Sequence, residues 1–115
     1  MYAIGEYPQI FGAAACISTH WPGSAKQGWA SITDKFMDYL SETVPGPEAH
    51  RIYFDYGDQT LDALYPPMQQ EADKVIISKG FDEGNWITFY DKGAAHDEKS
   101  WRNRLDKPLL FLLGK

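Results

Sequence analysis

One histidine stands where the sequence suggests chemistry. The stretch FYDKGAAHDEKSW, residues 89–101, ends an aromatic run in a loop of small residues and then places His96 ahead of a charged segment with helical spacing. The small residues leave His96 little to pack against, which favours a side chain that reaches into a cleft. An imidazole titrates near neutral pH and is the commonest general base. The alternative is that His96 only begins a helix.

Two aspartates follow a different strand. Asp58 and Asp62 lie in GDQTLDALY, residues 57–65, while Asp55 lies inside the strand itself and is interpreted as structural or as a support for the loop. A carboxylate bonded to one ring nitrogen of a histidine fixes the tautomer and stabilises the imidazolium ion. The residue types therefore predict a general-base pair of one of these two acids with His96. The alternative is that both acids serve turns or helix caps.

Strands and helices must bring these side chains together. Apolar runs bounded by Gly and Pro predict three strands, whereas apolar residues at steps of three and four predict helices between them. Gly57 permits a sharp exit from the second strand. The strands are predicted at 11–18, 50–57 and 85–91, and the helices at 28–44, from Pro67 to Gly80, and from Asp97 onward.

This alternation predicts an α/β fold with about three parallel strands. The first strand, FGAAACIS, is interpreted as buried because it is a short run of small apolar residues. In the tail, Trp101 and Leu105 are predicted to form a core stripe, and the rest of HDEKSWRNRLD a solvated face. Ligands bind outside the carboxyl ends of parallel strands, where the loops with Asp62 and His96 meet.

Three segments resemble a known family. YPQIFGAAACISTHW, RIYFDYGDQTLDALYPPMQ and HDEKSWRNRLDKPLLFLLG are similar, in this order, to the carboxyl-terminal part of the serine esterases of the α/β-hydrolase fold, the esterase D-like and enterochelin-esterase-like group. The resemblance covers nearly the whole chain. It implies an acid after the penultimate strand and a histidine after the last, in the order serine, acid, histidine. Asp62 then matches the acid, with Asp58 as runner-up, and His96 matches the base.

The nucleophile of that family is missing from the sequence. The family carries its serine in G-x-S-x-G, and no serine here has both glycines. Ser24 in PGSAK has one of them, and Cys16 in AAACIS is interpreted as a packed strand residue. The serines are Ser18, Ser24, Ser31, Ser41, Ser78 and Ser100.

The resemblance therefore implies a single incomplete α/β-hydrolase domain over residues 1–115. MYAIGEYP resembles the end of the helix that begins at the serine. The expected function is that of a carboxylic-ester hydrolase fragment, inactive alone, acting on a small-molecule ester in the intact enzyme. The alternative function is a non-catalytic α/β binding or interaction module.

Two further residues are candidates for substrate contact. His20 and Trp21 follow the first strand, where they line an acyl or alcohol pocket or else only pack the loop. The three histidines, His20, His50 and His96, are widely separated and lack the spacing of metal ligands. No metal and no other cofactor is expected.

The composition argues against some classes of binding partner. Eleven basic against sixteen acidic residues give a net charge of -5 without a basic cluster, which argues against nucleic acid. No run approaches the ~20 apolar residues of a membrane span. A single cysteine, Cys16, is compatible with the reducing cytoplasm. A leader would lie on the part that is expected to be missing, so the compartment stays unknown. An unpaired sheet edge is expected to favour self-association.

Overall fold

Strands and helices alternate along the chain. The structure is a computed structural model that describes residues 1–21 and 29–114, without the side chains of 29–31. The α-helices are α1 (Tyr2–Glu6), α2 (Trp29–Thr43), α3 (Pro66–Ser78), α4 (Glu98–Arg104) and α5 (Asp106–Leu113). The strands are β1 (Ala13–Ile17), β2 (Arg51–Tyr56) and β3 (Trp86–Tyr90), and short 3-10 helices span Pro47–Ala49 and Thr60–Leu64.

The three strands form one parallel sheet in the order β1-β2-β3. Tyr53 in the central strand pairs with Ala15 of β1 and with Ile87 of β3. Parallel neighbours need a crossover between them, and α2 and α3 lie in those two connections. The prediction of an α/β fold with three parallel strands and intervening helices is confirmed.

One face of β2 carries the main core. Ile52 and Phe54, two residues apart, are fully buried together with Leu40 of α2 and Ile76 of α3. Successive strand side chains point to opposite faces, so one face receives both of these residues. Burying each such side chain contributes roughly 1.5–3 kcal/mol.

The opposite face of β2 carries Tyr53 and Asp55. The ring of Tyr53 packs 6.3 Å from that of Phe111 in α5, and the carboxylate of Asp55 meets Arg104 of α4. Both strand residues are fully buried. A buried acid on the inner face of a central strand is structural, as the sequence indicated, and it requires a cationic partner on the covering helix.

Strand β1 is more exposed than predicted. Ala13 and Ala15 are exposed, although the run of small apolar residues was interpreted as a buried strand. The reason is topological, because β1 pairs with β2 on one side and has no strand on its other side among the described residues. Composition alone could not show how many neighbours the strand has.

The carboxyl-terminal helices also differ from expectation. Leu105 is 44% exposed rather than part of a core stripe, because α4 ends at Arg104 and Leu105 is the junction from which α5 begins. Arg104, by contrast, is only 2% exposed, so the solvated face predicted for this segment is interrupted by a buried cation.

No helix in the described ranges is both long and apolar enough to cross a membrane, in agreement with the sequence.

Candidate active site

The loop after β2 buries Asp62. Asp62 lies in the 3-10 helix Thr60–Leu64, its side chain is fully buried, and its Oδ2 accepts a hydrogen bond from the amide of Gly57 at 2.6 Å. Ser18 Oγ donates to the same oxygen, also at 2.6 Å. Oδ1 remains for the histidine. A buried carboxylate that accepts several hydrogen bonds is held in one orientation.

The loop after β3 crosses directly over the end of β2. The carbonyl oxygen of Ala94 accepts hydrogen bonds from the amides of Asp58 and Gln59, both at 3.0 Å. A Cβ on Gly57 would collide with this same carbonyl. Gly57 does not have a positive φ, so a glycine is needed here for close approach and not for the sharp exit that the sequence indicated.

This crossing brings His96 to Asp62. Nδ1 of His96 lies 2.8 Å from Oδ1 of Asp62, and the backbone amide of His96 donates to Thr60 Oγ1 at 2.9 Å. The indole ring of Trp101 packs edge-on against the imidazole, with ring centroids 5.1 Å apart. Asp97 caps α4, because its carboxylate accepts from the amide of Ser100. His96 therefore precedes the helix cap and its ring turns toward the acid.

The two nitrogens of the imidazole have different surroundings. Nδ1 faces a carboxylate that accepts hydrogen bonds, so Nδ1 carries the hydrogen and Nε2 is left with its lone pair. Among the described residues no group hydrogen-bonds to Nε2, and the side chain is 22% exposed. A histidine held in this way is able to take a proton at Nε2 from a group that approaches it.

No described nucleophile approaches that nitrogen. Ser18 is buried and its hydroxyl bonds to the carboxylate of Asp62, on the far side from the imidazole. Burial raises the pKa of the Cys16 thiol, which disfavours the reactive thiolate. Ser24 and the side chain of Ser31 lie outside the described residues. In the described part of the chain, no serine, threonine or cysteine side chain bonds to the imidazole.

Asp58, the alternative acid, has other partners. Its carboxylate accepts from the hydroxyl of Tyr90 and, at 2.9 Å, from the amide of Gly93. The hydrogen bond from Tyr90 is the largest cause that lowers the pKa of Asp58, followed by one from Gln59. Asp58 therefore ties the two loops together near the surface, while Asp62 is the acid that contacts His96.

His20 and Trp21 occupy different settings. Both line a cavity of about 510 Å³ whose other walls are mostly apolar side chains of α1 and α2. Trp21 is 2% exposed, donates to Gln69 Oε1 at 2.9 Å and packs on Phe54, so it belongs to the core as well. His20 is exposed, with its ring centroid 6.4 Å from that of His96. Their role in substrate binding stays a prediction.

Tyr65 connects the two histidines and was not singled out from the sequence. Its hydroxyl lies 2.8 Å from Nδ1 of His20 and 3.2 Å from Nδ1 of His96. Burial is the first cause, and the charge of Asp62 the second, that raises the pKa of Tyr65 to about 12. The tyrosine is therefore a neutral hydroxyl at physiological pH, able to donate to one ring and accept from the other.

Arg104 was also missed. Its Nη2 donates to Ser18 Oγ at 2.7 Å and to Asp55 Oδ1 at 3.0 Å, directly behind Asp62. A signal existed, because Arg104 follows Trp101 by three residues and so shares a helix face with it. We call the buried residues Ser18, Asp55, Asp62 and Arg104, together with the half-buried Trp101 that bonds to Ser18, the buried polar cluster.

In the residues that are described, no group of three or more His, Cys, Asp or Glu side chains is arranged to hold a metal ion.

Comparison of the chain with protein-family models, with curated proteins and with solved structures gives no match.

Proposed function

We propose that Asp62 and His96 are the acid and the base of a serine carboxylic-ester hydrolase of the α/β-hydrolase fold. The observation that carries the proposal is the 2.8 Å contact between Asp62 Oδ1 and His96 Nδ1, with Nε2 left open. The two residues follow neighbouring parallel strands in the order acid, then histidine, as in that fold. The resemblance of three sequence segments to serine esterases points the same way.

The serine in this proposal comes from a segment outside residues 1–115. The sequence contains no G-x-S-x-G, and the hydroxyl of Ser18 is committed to Asp62. The amides that hold the oxyanion come from the residue after the serine and from an earlier loop, so they belong to the same segment. Residues 1–115 contribute the acid, the base and one wall of the site.

The chemistry is a double displacement. As the serine Oγ attacks the ester carbonyl carbon, its proton passes to Nε2 of His96, and Asp62 stabilises the imidazolium ion that results. The C–O bond to the alcohol then breaks, and the alkoxide takes that proton from Nε2. Water attacks the acyl-serine by the same two steps, which release the acid and restore the serine.

Asp62 is suited to its part because it is buried and oriented by donors on Oδ2. Gly57 and Ser18 hold that oxygen, so Oδ1 is presented to the ring in a fixed position. In serine proteases, replacing the triad aspartate with asparagine leaves the histidine in the wrong tautomer, and kcat falls about 10⁴-fold.

The substrate class is an ester with an apolar acyl or alcohol group. The cavity of about 510 Å³ beside His20 is lined largely by apolar and aromatic side chains, with Lys35 as its charged residue. Pockets of this size and character hold small organic ligands.

One observation favours a second candidate function, a non-catalytic binding or interaction module. Within the described residues, no nucleophilic side chain contacts the imidazole of His96, so the pair has nothing to activate there. In this case the cavity beside His20 would bind a ligand without converting it.

The test compares the chain alone with a form that supplies the serine. Residues 1–115 alone should hydrolyse p-nitrophenyl acetate no faster than an inert protein, because loss of the nucleophile alone costs about 10⁶ in kcat. If the genomic sequence upstream encodes G-x-S-x-G in the same reading frame, that segment supplies the native serine. Otherwise an amino-terminal segment of a related esterase is co-expressed as a substitute. Activity should then appear, and His96→Gln or Asp62→Asn should remove it.

Matched controls are present in the same chain. Asp58→Asn changes an acid in the same loop but keeps an oxygen that accepts from the amide of Gly93. His50→Gln changes a histidine whose ring nitrogens bond to the carbonyls of Gly46 and Pro8. Both should retain activity. Saturable turnover by residues 1–115 alone, lost in His96→Gln, would show that a nucleophile within the chain was overlooked. Inactivity with a correctly folded serine segment would favour the binding module.

A further inference from the structure

The hydroxyl of Ser18 uses its full hydrogen-bonding capacity. A hydroxyl has one donor hydrogen and two acceptor lone pairs. Ser18 Oγ accepts from Arg104 Nη2 at 2.7 Å and from Trp101 Nε1 at 3.1 Å, and both of these groups can only donate. Its own hydrogen is therefore directed to Asp62 Oδ2, 2.6 Å away.

Arg104 keeps this arrangement in place. Its guanidinium is buried, it cannot lose its proton, and it is also bonded to Asp55 Oδ1 at 3.0 Å. Asp55 accepts in turn from the backbone amide of Ser18 at 2.9 Å. Arg104 therefore bonds both to the side chain of Ser18 and to Asp55, the acid that accepts a hydrogen bond from the backbone of Ser18.

The backbone of Ser18 is strained in a way that points to use of its hydroxyl. Its φ is +47°, in the left-handed region that glycine adopts without penalty. Glycine would relieve the strain but would leave Asp62 Oδ2 with only one of its two donors, the amide of Gly57. Strain of this kind is retained where the surrounding structure requires the side chain.

We propose that Ser18 and Arg104 are positioning residues that hold Asp62 Oδ2 and thereby set the pH at which the Asp62–His96 pair takes up its proton. The proposal deepens, and for its catalytic meaning rests on, the proposed function, in which that pair is the acid and base. In this proposal the buried polar cluster positions the Asp62 carboxylate in addition to packing the interior.

The charges around the pair determine the direction of the effect. Asp55, Asp62 and Arg104 are buried together, so two carboxylates face one guanidinium and the set carries one net negative charge until the pair binds a proton. Removing a donor or the cation leaves the Asp62 anion less stabilised. The pair then binds its proton more tightly, on whichever of the two residues it resides.

The titratable groups that face this set from the surrounding elements are few among the described residues. They include Tyr65, 3.2 Å from His96 Nδ1, His20, whose ring is 6.4 Å from that of His96, and Asp91, 3.5 Å from Arg104 Nη1. Tyr53 and Cys16 also feel the charge of Asp55, and Asp97 feels the charge of Arg104.

The experiment follows the imidazole signals of His96 by NMR through a pH titration of the 115-residue chain. Ser18→Gly and Ser18→Ala both remove the hydroxyl, while only glycine relieves the backbone strain, so agreement between them isolates the hydroxyl. We expect both to raise the titration midpoint by about one pH unit. Arg104→Met should raise it further, and Arg104→Lys should bring it part of the way back.

The matched control is Arg102→Met, which removes a charge from an exposed position on the same helix. It should leave the midpoint in place. Both Ser18 variants folding with an unchanged midpoint would overturn the proposal. Ser18→Gly failing to fold would also overturn it, because the hydroxyl would then serve the fold itself. Both of these outcomes are measured on the Ser18 variants, so they are decisive even if Arg104→Met does not fold.

The proposed function can fail separately. A shifted midpoint together with full ester hydrolysis by His96→Gln in the serine-bearing enzyme would refute the catalytic pair and leave the positioning intact. An unchanged midpoint in an enzyme that needs His96 would refute only the positioning.

Discussion

Gly57→Ala should break the contact between the two loops that bring Asp62 and His96 together. The Cβ would run into the carbonyl group of Ala94, which is backbone and has no rotamer to change. That carbonyl also accepts the hydrogen bonds of Asp58 and Gln59, both at 3.0 Å. The loop carrying His96 must therefore retreat, and these two bonds must lengthen or break.

The magnitude follows from those two effects. Overpacking in a tight site costs about 1–3 kcal/mol. Each backbone hydrogen bond contributes about 1 kcal/mol net. The free energy of unfolding should thus fall by about 3–5 kcal/mol, a large share of the roughly 5–15 kcal/mol of an ordinary domain.

The assay is urea denaturation beside NMR of the His96 imidazole. With a slope of about 1–3 kcal/mol per molar urea, the midpoint should fall by at least about 1 M. The proton between His96 Nδ1 and Asp62 should lose its hydrogen-bonded shift, because the loop moves by an amount on the order of 1 Å.

Gly12→Ala is the control. A Cβ on Gly12 would meet its nearest neighbour, the carbonyl oxygen of Ala49, at 3.4 Å. The substitution should change stability by less than about 1 kcal/mol. If Gly57→Ala is as stable as Gly12→Ala and keeps the His96 signal, the steric account of the loop crossing is refuted.

Three further outcomes are expected. Because burial raises the pKa of Tyr65 to about 12 from 10.0 in the unfolded chain, part of the stability present below pH 10 should be lost as pH rises toward 12. Urea midpoints across this range should decline less in Tyr65→Phe, and equal declines would contradict the reasoning. Leu40→Ala should lower the free energy of unfolding by about 2–5 kcal/mol in the same assay, because Leu40 is fully buried between α2 and the sheet. A loss smaller than that caused by Ile77→Ala, at an exposed position, would contradict this expectation. The edge of β1, which has no partner strand among the described residues and has Ile10 and Phe11 exposed beside it, should make the chain exceed its 13.1 kDa monomer mass in light scattering. Ile10→Lys should reduce that mass, and a monomer at all concentrations would remove the basis for self-association.

Local patterns predicted most elements of the fold. The β-branched and aromatic run from Arg51 to Tyr56 is a strand, and prolines at the start and Gly80 beyond the end mark α3, since these features depend on backbone geometry and on near neighbours. The order of the elements predicted the parallel sheet. Loops after parallel strands emerge at one edge, so the proximity of Asp62 and His96 was also predictable.

The order of the elements along the chain did not decide which of the two acids contacts His96. Asp58 and Asp62 are four residues apart and chemically alike, and the sequence left both open. The choice depends on the turn of the loop, which sends Asp62 inward to Gly57 and His96 and leaves Asp58 with Tyr90. Such a turn is set by contacts with Ala94, which is more than thirty positions away in the chain.

Sequence alone therefore determined the alternation of strands and helices, the parallel sheet and the meeting of His96 with an acid of the preceding loop at its edge, because each of these follows from short-range pattern and from chain order. Only the tertiary structure decided which polar side chains are buried. In the sequence, Arg104 is one charge in a solvated helix, and Ser18 is one serine after a strand. They meet across 86 residues because the end of α4 brings Arg104 to the face of the sheet that carries Asp55. A charge enters the interior only where opposite charges and hydrogen-bonding groups surround it, and no local pattern contains that information.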